Sequence, residues 1–302
     1  MTTLNYQNKN PLVQLLRVAV CFLITLLLNF NLQAQTTVTI GAGSQSGTQS
    51  NSAAGDCGPM YRSTASSAFV YSRHHYLYTQ SEISSAGIPS GNLITKLAWY
   101  NQNGAGTNSP CIFQIWMKNS ALTDVGVGGQ NWSTLTSGST LVYNSSTHSV
   151  PATVGWHDIV LSTPFTYTGG AIEISVNFDI SGGSSPYTTN GFSWNKDPIT
   201  GRTLSYVGSA APGATLPNLR TVRAQIQMTY QSGAPCSAPP TAGSSTATPS
   251  SGLCVSSNFV LNLSGNSIGS GQTYQWQEST TFGGPYTDLG SSSSSPLLNT
   301  TA

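Results

Sequence analysis

Hydrophobic and polar positions alternate most cleanly from Ala171 onward, where Ile172, Ile174, Val176, Phe178 and Ile180 are interleaved with Glu173, Ser175, Asn177 and Asp179. A period of two predicts a strand with one apolar face and one wet face. Ile159 and Leu161 show the same period just upstream, and the proline and paired glycines of Pro164–Gly170 read as a chain reversal between two antiparallel strands. Further strands are expected at Val38–Ile40, Phe69–Thr79, Leu93–Tyr100, Ile112–Met117, Ser139–Tyr143, Phe192–Asn195 and Thr203–Val207. A long one follows at Leu219–Tyr230, with Val222, Ala224, Ile226, Met228 and Tyr230 on its apolar side and Arg223, Gln225, Gln227 and Thr229 on its polar side. About ten strands and no amphipathic helix of useful length predict an all-β fold, a jelly-roll-like antiparallel β-sandwich.

The alternation stops at QSGAPC, and the low-complexity run SAPPTAGSSTATPSSG follows. This divides the chain into a β-sandwich domain over 36–231, a linker over 232–252 and a smaller β region over 253–302. In that last region Phe259, Leu261 and Leu263 alternate with Val260 and Asn262, and Tyr274 and Trp276 lie on a second strand. A tryptophan on such a strand is the pattern of an immunoglobulin-like sandwich. Only 66 residues follow Cys236, against about 100 in a whole domain of that kind, so an incomplete one is expected, with no strand in its serine-rich end.

Composition limits the partners. Charged residues are 6% of the chain and the formal net charge is +1, which leaves no basic footprint for nucleic acid and no polybasic patch for anionic lipid. Lys9 and Arg17 precede an apolar run from Val18 to Leu28 and a polar stretch ending at Gln35, the three parts of a secretory signal over residues 1–35. Eleven residues fall short of the roughly 20 that a spanning helix needs. No transmembrane segment is therefore expected after signal cleavage. In an oxidising compartment the four remaining cysteines read as disulfides, Cys57 with Cys111 inside the first domain, with the pairing of Cys236 and Cys254 left open.

Candidate chemistry is sparse. Gly265–Gly269 matches G-x-S-x-G, but strands on both sides deny the strand-to-helix turn which that nucleophile elbow requires. His157 and Asp158, like His74 and His75, are strand neighbours that point to opposite faces, and surface or interface positions are expected for them. Glu173 and Asp179 share a face but stand about 20 Å apart at the usual rise, too far for a glycosidase pair. Calcium is the one cofactor the pattern allows, with Asp179 supplying an oxygen ligand. Sugars stack on exposed aromatic rings beside amide and hydroxyl donors, and Tyr76, Trp116, Trp132 and Trp156 are the candidate ligand-binding residues. Trp116 and Trp156 are out of phase with their apolar neighbours, and Trp132 lies in a Gly/Asn/Ser-rich stretch.

The motifs TVTIGAG, HYLYTQSEISSAGIPSGNLITKLAWY, GWHDIVLSTPFTYTGGAIEISV and LPNLRTVRAQIQMTY, with CSAPPTAG and YQWQESTTFGGPYTDL downstream, resemble a family of modular bacterial surface and adhesion proteins exported through a type IX-like system. The resemblance covers most of residues 36–302 and implies a non-catalytic module for adhesion or glycan binding, joined to an immunoglobulin-like repeat. The expected location is secreted or outer cell surface, and the expected partner an extracellular glycan or surface protein. The alternative is the accessory binding or spacer part of a secreted hydrolase whose catalytic domain lies elsewhere.

Overall fold

Two antiparallel sheets face each other across a core built from their alternating apolar positions. The computed structural model describes residues 35–55, 58–233, 241–267, 272–281, 283–293 and 295–302; residues 1–34, with the expected signal peptide, and Cys57 and Cys236 lie outside the described residues. One sheet runs in the order β1 (Gln35–Ile40), β12 (Ile226–Gln231), β3 (Leu93–Asn101), β7 (Gly155–Thr166). The other runs β11 (Asn218–Ala224), β9 (Lys196–Gly208), β2 (Tyr71–Tyr78), β8 (Ala171–Asp179), β4 (Cys111–Ser120), β6 (Thr140–His148). Successive strands pass repeatedly from one sheet to the other, as in a jelly roll. Tyr76, Tyr78, Phe113, Ile115, Ile174, Val176 and Phe178 from the larger sheet meet Ile40, Leu97, Trp99, Ile159, Ile226 and Met228 from the smaller. Burying each such side chain contributes about 1.5–3 kcal/mol, which makes this core the main source of stability.

Two expected elements take a different form. The alternation over Leu219–Tyr230 is real, but the chain changes sheets at Gln225: β11 pairs with β9, and β12 pairs with β1 and β3. Arg223, Gln225 and Thr229, expected to be wet, are buried as a result. Phe192–Asn195 is not a strand but one bridge, between Trp194 and Asn101, with the indole Nε1 donating to the Met60 carbonyl at 3.0 Å. Among the described residues two short helices occur. Helix α1 (Gln80–Ala86) follows β2, and α2 (Trp132–Thr136) sits in the excursion between β4 and β6. There β5 (Gln130–Asn131) pairs with β10 (Thr215–Leu216) to fix a flap against the outer face of the six-stranded sheet. Val125, Leu135 and Leu216 of the flap close a second small core over Leu77, Ala171 and Leu204.

The expected linker contains β13 (Ser244–Thr248), which pairs with β14 (Asn258–Ser264), and β14 pairs with β17 (Leu298–Thr301). β15 (Tyr274–Glu278) pairs with β16 (Thr287–Ser293). The serine-rich end thus supplies two strands whose composition hid them. Residues 35–302 gather into one compact unit, and the PFTYTGG turn holds part of it together. Tyr167 donates its hydroxyl to the Gly170 carbonyl at 2.7 Å, while Leu297 and Pro296 press on Gly170 and Gly169. Gly170 has φ +82°, and a Cβ there would stand 2.1 Å from Leu297 Cδ1 and 2.5 Å from the Ser120 carbonyl oxygen. The leucine could swing aside; the backbone oxygen could not. Gly170→Ala is therefore expected to cost about 2–4 kcal/mol, combining left-handed strain with overpacking. A melting temperature within 1 °C of wild type would refute this.

Among the described residues no helix is long and apolar enough to cross a membrane.

Candidate functional site

The outer face of the six-stranded sheet carries rows of polar and aromatic groups. Because register partners in an antiparallel sheet share a face, its side chains stand in rows across the strands. One row runs Tyr206, Arg73, Asn177, Gln114, Asn144, from β9 through β2, β8 and β4 to β6. Its members are hydrogen-bonded in series: Arg73 Nε donates to Asn177 Oδ1 at 2.9 Å, Asn177 Nδ2 to Gln114 Oε1 at 3.2 Å, and Gln114 Nε2 to Asn144 Oδ1 at 3.0 Å. The next row runs Leu204, His75, Ser175, Trp116, Leu141, and the one after it holds Leu77, Glu173 and Lys118.

The flap aims a second indole at this face. Asn131 caps α2 by accepting from Ser133 N at 3.0 Å, and Trp132 N donates to the Ala214 carbonyl at 2.7 Å. Trp132 is thereby set edge-on to Trp116, centroids 5.6 Å apart at 87°, with the Arg73 guanidinium 4.8 Å from its ring centroid. Both indoles are half-buried. Ile112 and Leu141, 40% and 38% exposed, widen the apolar part of the surface.

Under the flap, a serine, a histidine and a carboxylate do converge. Ser175 Oγ lies 2.8 Å from His75 Nδ1, and His75 Nε2 lies 3.2 Å from Glu173 Oε2, which is also 3.0 Å from Lys118 Nζ. Burial pushes the Glu173 carboxyl up, but bonds from His75, Ser120 and Lys118 outweigh it and hold the group below its ordinary range. The three side chains are 1%, 1% and 3% exposed. Ser175 sits mid-strand between β2 and β4, so its neighbouring backbone N–H groups belong to the ladder and are not presented as an oxyanion hole. The trio is a buried polar network that ties three strands to the flap, since Lys118 Nζ also donates to the Leu135 carbonyl at 2.9 Å. The register of strands about 100 residues apart brings it together, and only the period-two phase of Glu173 and Ser175 hinted at it.

Of the residues singled out by sequence, Trp116 and Trp132 meet on this face, and the others do not join them. Tyr76 points inward, is 0% exposed and donates to the Gly58 carbonyl at 2.8 Å; it cannot touch a ligand. Trp156 is half-buried on the outer face of the four-stranded sheet, edge-on to Tyr100 at 5.4 Å. Asp179 ends β8, with Oδ1 accepting from Ser181 N at 2.8 Å, and among the described residues no three His, Cys, Asp or Glu side chains gather into a metal site. Cys111 is a buried free thiol and not half of a disulfide; its S–H donates to the His148 carbonyl at 3.2 Å, and burial, reinforced by the charge of Asp179, pushes it up to about 12. Cys254 is likewise a free thiol.

All four histidines are buried, whereas surface or interface positions were expected for His74, His75 and His157. His157 and Asp158 do point to opposite faces: the imidazole lies inside, while the carboxylate pairs with Lys96 at 2.7 Å outside. Ser267 of the G-x-S-x-G match accepts from Thr241 N at 3.1 Å, a long-range bond just beyond the β13–β14 pairing; Ile268 and Gly269 lie outside the described residues.

No family model matches the chain, and no curated protein matches it. Among solved structures, a propeptide-cleaved form of the clostridial cysteine protease Cwp84 is similar at a TM-score of 0.33 and 5% identity, over 65% of this chain and 40% of that one. The cysteine protease and lectin-like domains of Cwp84, a surface-layer-associated protein of Clostridium difficile, are similar at the same score and identity, over 54% of this chain and 32% of that one. The chain thus spans less than half the length of either.

Proposed function

We propose that the protein is a secreted, cell-surface, non-catalytic module that binds an extracellular saccharide on the outer face of its six-stranded sheet. The observation that carries this reading is the pairing of Trp116 and Trp132 beside the hydrogen-bonded row Arg73–Asn177–Gln114–Asn144. A pyranose presents an apolar C–H face and a rim of hydroxyls; half-exposed indoles suit the first, and amides held in fixed orientation suit the second. The row crosses five strands, about 19 Å at the usual spacing, enough for an oligosaccharide and not only one sugar. A signal-like N-terminus and a surface poor in charge agree with an extracellular partner.

A glycan array probed with the purified protein tests the reading. Trp132→Ala is expected to weaken binding about tenfold or more, whereas Trp156→Ala, on the opposite sheet, leaves it unchanged. Binding to no saccharide, or equal losses from the two substitutions, would overturn it.

A further inference from the structure

We infer that the saccharide bound on this face is anionic, a pyranoside bearing a carboxylate or a sulfate, and that Arg73 is the residue selecting it. The inference rests on the outer-face binding reading and adds the ligand's charge to it.

Cations are few in this chain and mostly accounted for. Lys96 pairs with Asp158, Lys118 with Glu173, Arg202 with Asp124 and Arg223 with Glu82, while Lys196 and Arg62 spend their donors on backbone carbonyls. Arg73 differs. Its Nε is held by Asn177 and its Nη1 by the Gly213 carbonyl at 3.3 Å, and among the described residues no carboxylate lies within ion-pair distance of it. The guanidinium is half-buried against Trp132, so it has lost part of its hydration, and burial lowers its pKa. A partly desolvated cation without a counter-ion is costly, and an oxyanion supplied by a ligand would offset that cost.

The geometry is suited to such a ligand. Asn177 and Gly213 fix the plane of the guanidinium, and Nη2 is engaged by neither. A carboxylate or sulfate ester can accept from this edge in the fork-like manner that arginine favours. A ring bearing the anion would then lie beside Trp132 and Trp116, with Asn177, Gln114 and Asn144 along its hydroxyl rim. The other charged groups of the face leave Arg73 unopposed. Asp179 is one row away and binds Ser181 N; Glu173 is two rows away beneath the flap, tied to His75 and Lys118.

Calorimetric titration at low and high salt distinguishes the outcomes, using three galactose-based oligosaccharides of equal length: neutral, sulfated and oxidised to the uronate. Wild type is expected to prefer one or both acidic ligands by about tenfold, the ratio that 1.4 kcal/mol produces, with the preference shrinking as salt rises. The acidic arm that binds tighter identifies the oxyanion. Arg73→Gln should bring the acidic ligands down to the neutral level while leaving neutral binding in place, and Arg73→Lys should restore only part of the preference. Unchanged melting curves verify that these variants fold. Equal affinity of wild type for all three, or a preference that survives Arg73→Gln, overturns the inference and leaves the saccharide reading standing. No binding of any of them, together with an inert Trp132→Ala, overturns both.

Discussion

Replacing Glu82 by glutamine is expected to lower the melting temperature by about 6–12 °C. Arg223 lies at the end of β11, two residues before the chain crosses between sheets, and is 2% exposed. Its Nη1 donates to the Leu77 carbonyl at 2.7 Å and to Glu82 Oε2 at 2.9 Å, its Nη2 meets Glu82 Oε1 at 2.5 Å, and the Tyr78 ring centroid is 4.3 Å from it. Glu82 also accepts from Thr79 N at 2.8 Å, which closes the first turn of α1. One carboxylate therefore serves a helix start and a buried cation at the sheet crossover.

Burial pushes the Glu82 carboxyl up, but the bond with and charge of Arg223 and the bonds from Thr79 overcome this and hold it at about 2. Its folded pKa lies below its unfolded one. The stabilisation is thus present above the unfolded value and is lost as pH falls toward 2. Removing one partner of a buried pair costs about 3 kcal/mol, and a unit of this size loses about 2–4 °C per kcal/mol. Thermal unfolding of Glu82→Gln measures it directly. A shift under 2 °C would reduce the pair to the standing of a surface ion pair. Glu82→Gln combined with Arg223→Met should regain part of the loss, because no charge is then stranded.

The second large effect is pH-dependent and arises where the two sheets meet at β6 and β7. His148 Nε2 and His157 Nε2 are 3.0 Å apart, and Tyr143 Oη lies 2.8 Å from His148 Nδ1. Two imidazoles in such contact need at least one of them neutral. Burial first, and then the neighbouring His157, lowers His148 to about 4; burial also lowers His157 to about 4, against the opposing pull of Asp158. Because the folded values lie below the unfolded 6.5, the pair's contribution is complete above pH 6.5 and is lost as pH falls from there toward 4. The total loss is on the order of 3 kcal/mol or more. The window between pH 6.5 and 5 precedes carboxylate titration and isolates the histidines. Denaturant midpoints of wild type should fall across it, and those of a His148→Gln/His157→Gln variant should stay level; parallel slopes for the two proteins would discount the pair.

How much of the site was legible depends on what kind of information placed each residue. Trp116 could be turned outward from phase alone, since Phe113, Ile115 and Met117 define the inner side of β4. Tyr76 could not, because aromatic and polar residues occupy both parities of β2: Tyr71 faces out, and Tyr76 and Tyr78 face in. Alternation predicts a wet polar side for β8, yet Glu173 and Ser175 are buried, because β8 is central in its sheet and the flap from β5 to α2 lies over them. Local alternation says which residues share a face; it does not say what covers that face.

By itself the sequence determined the all-β class, most strand positions and the two-sided phase of the strands, since these follow from side-chain periodicity within a few residues. The tertiary structure decided the sheet crossover at Gln225, the burial of every histidine, the free thiol of Cys111 and the meeting of Arg73, Trp116 and Trp132. Each depends on register between strands distant along the chain, set by which alternating faces pack together in three dimensions, a choice that local periodicity leaves open.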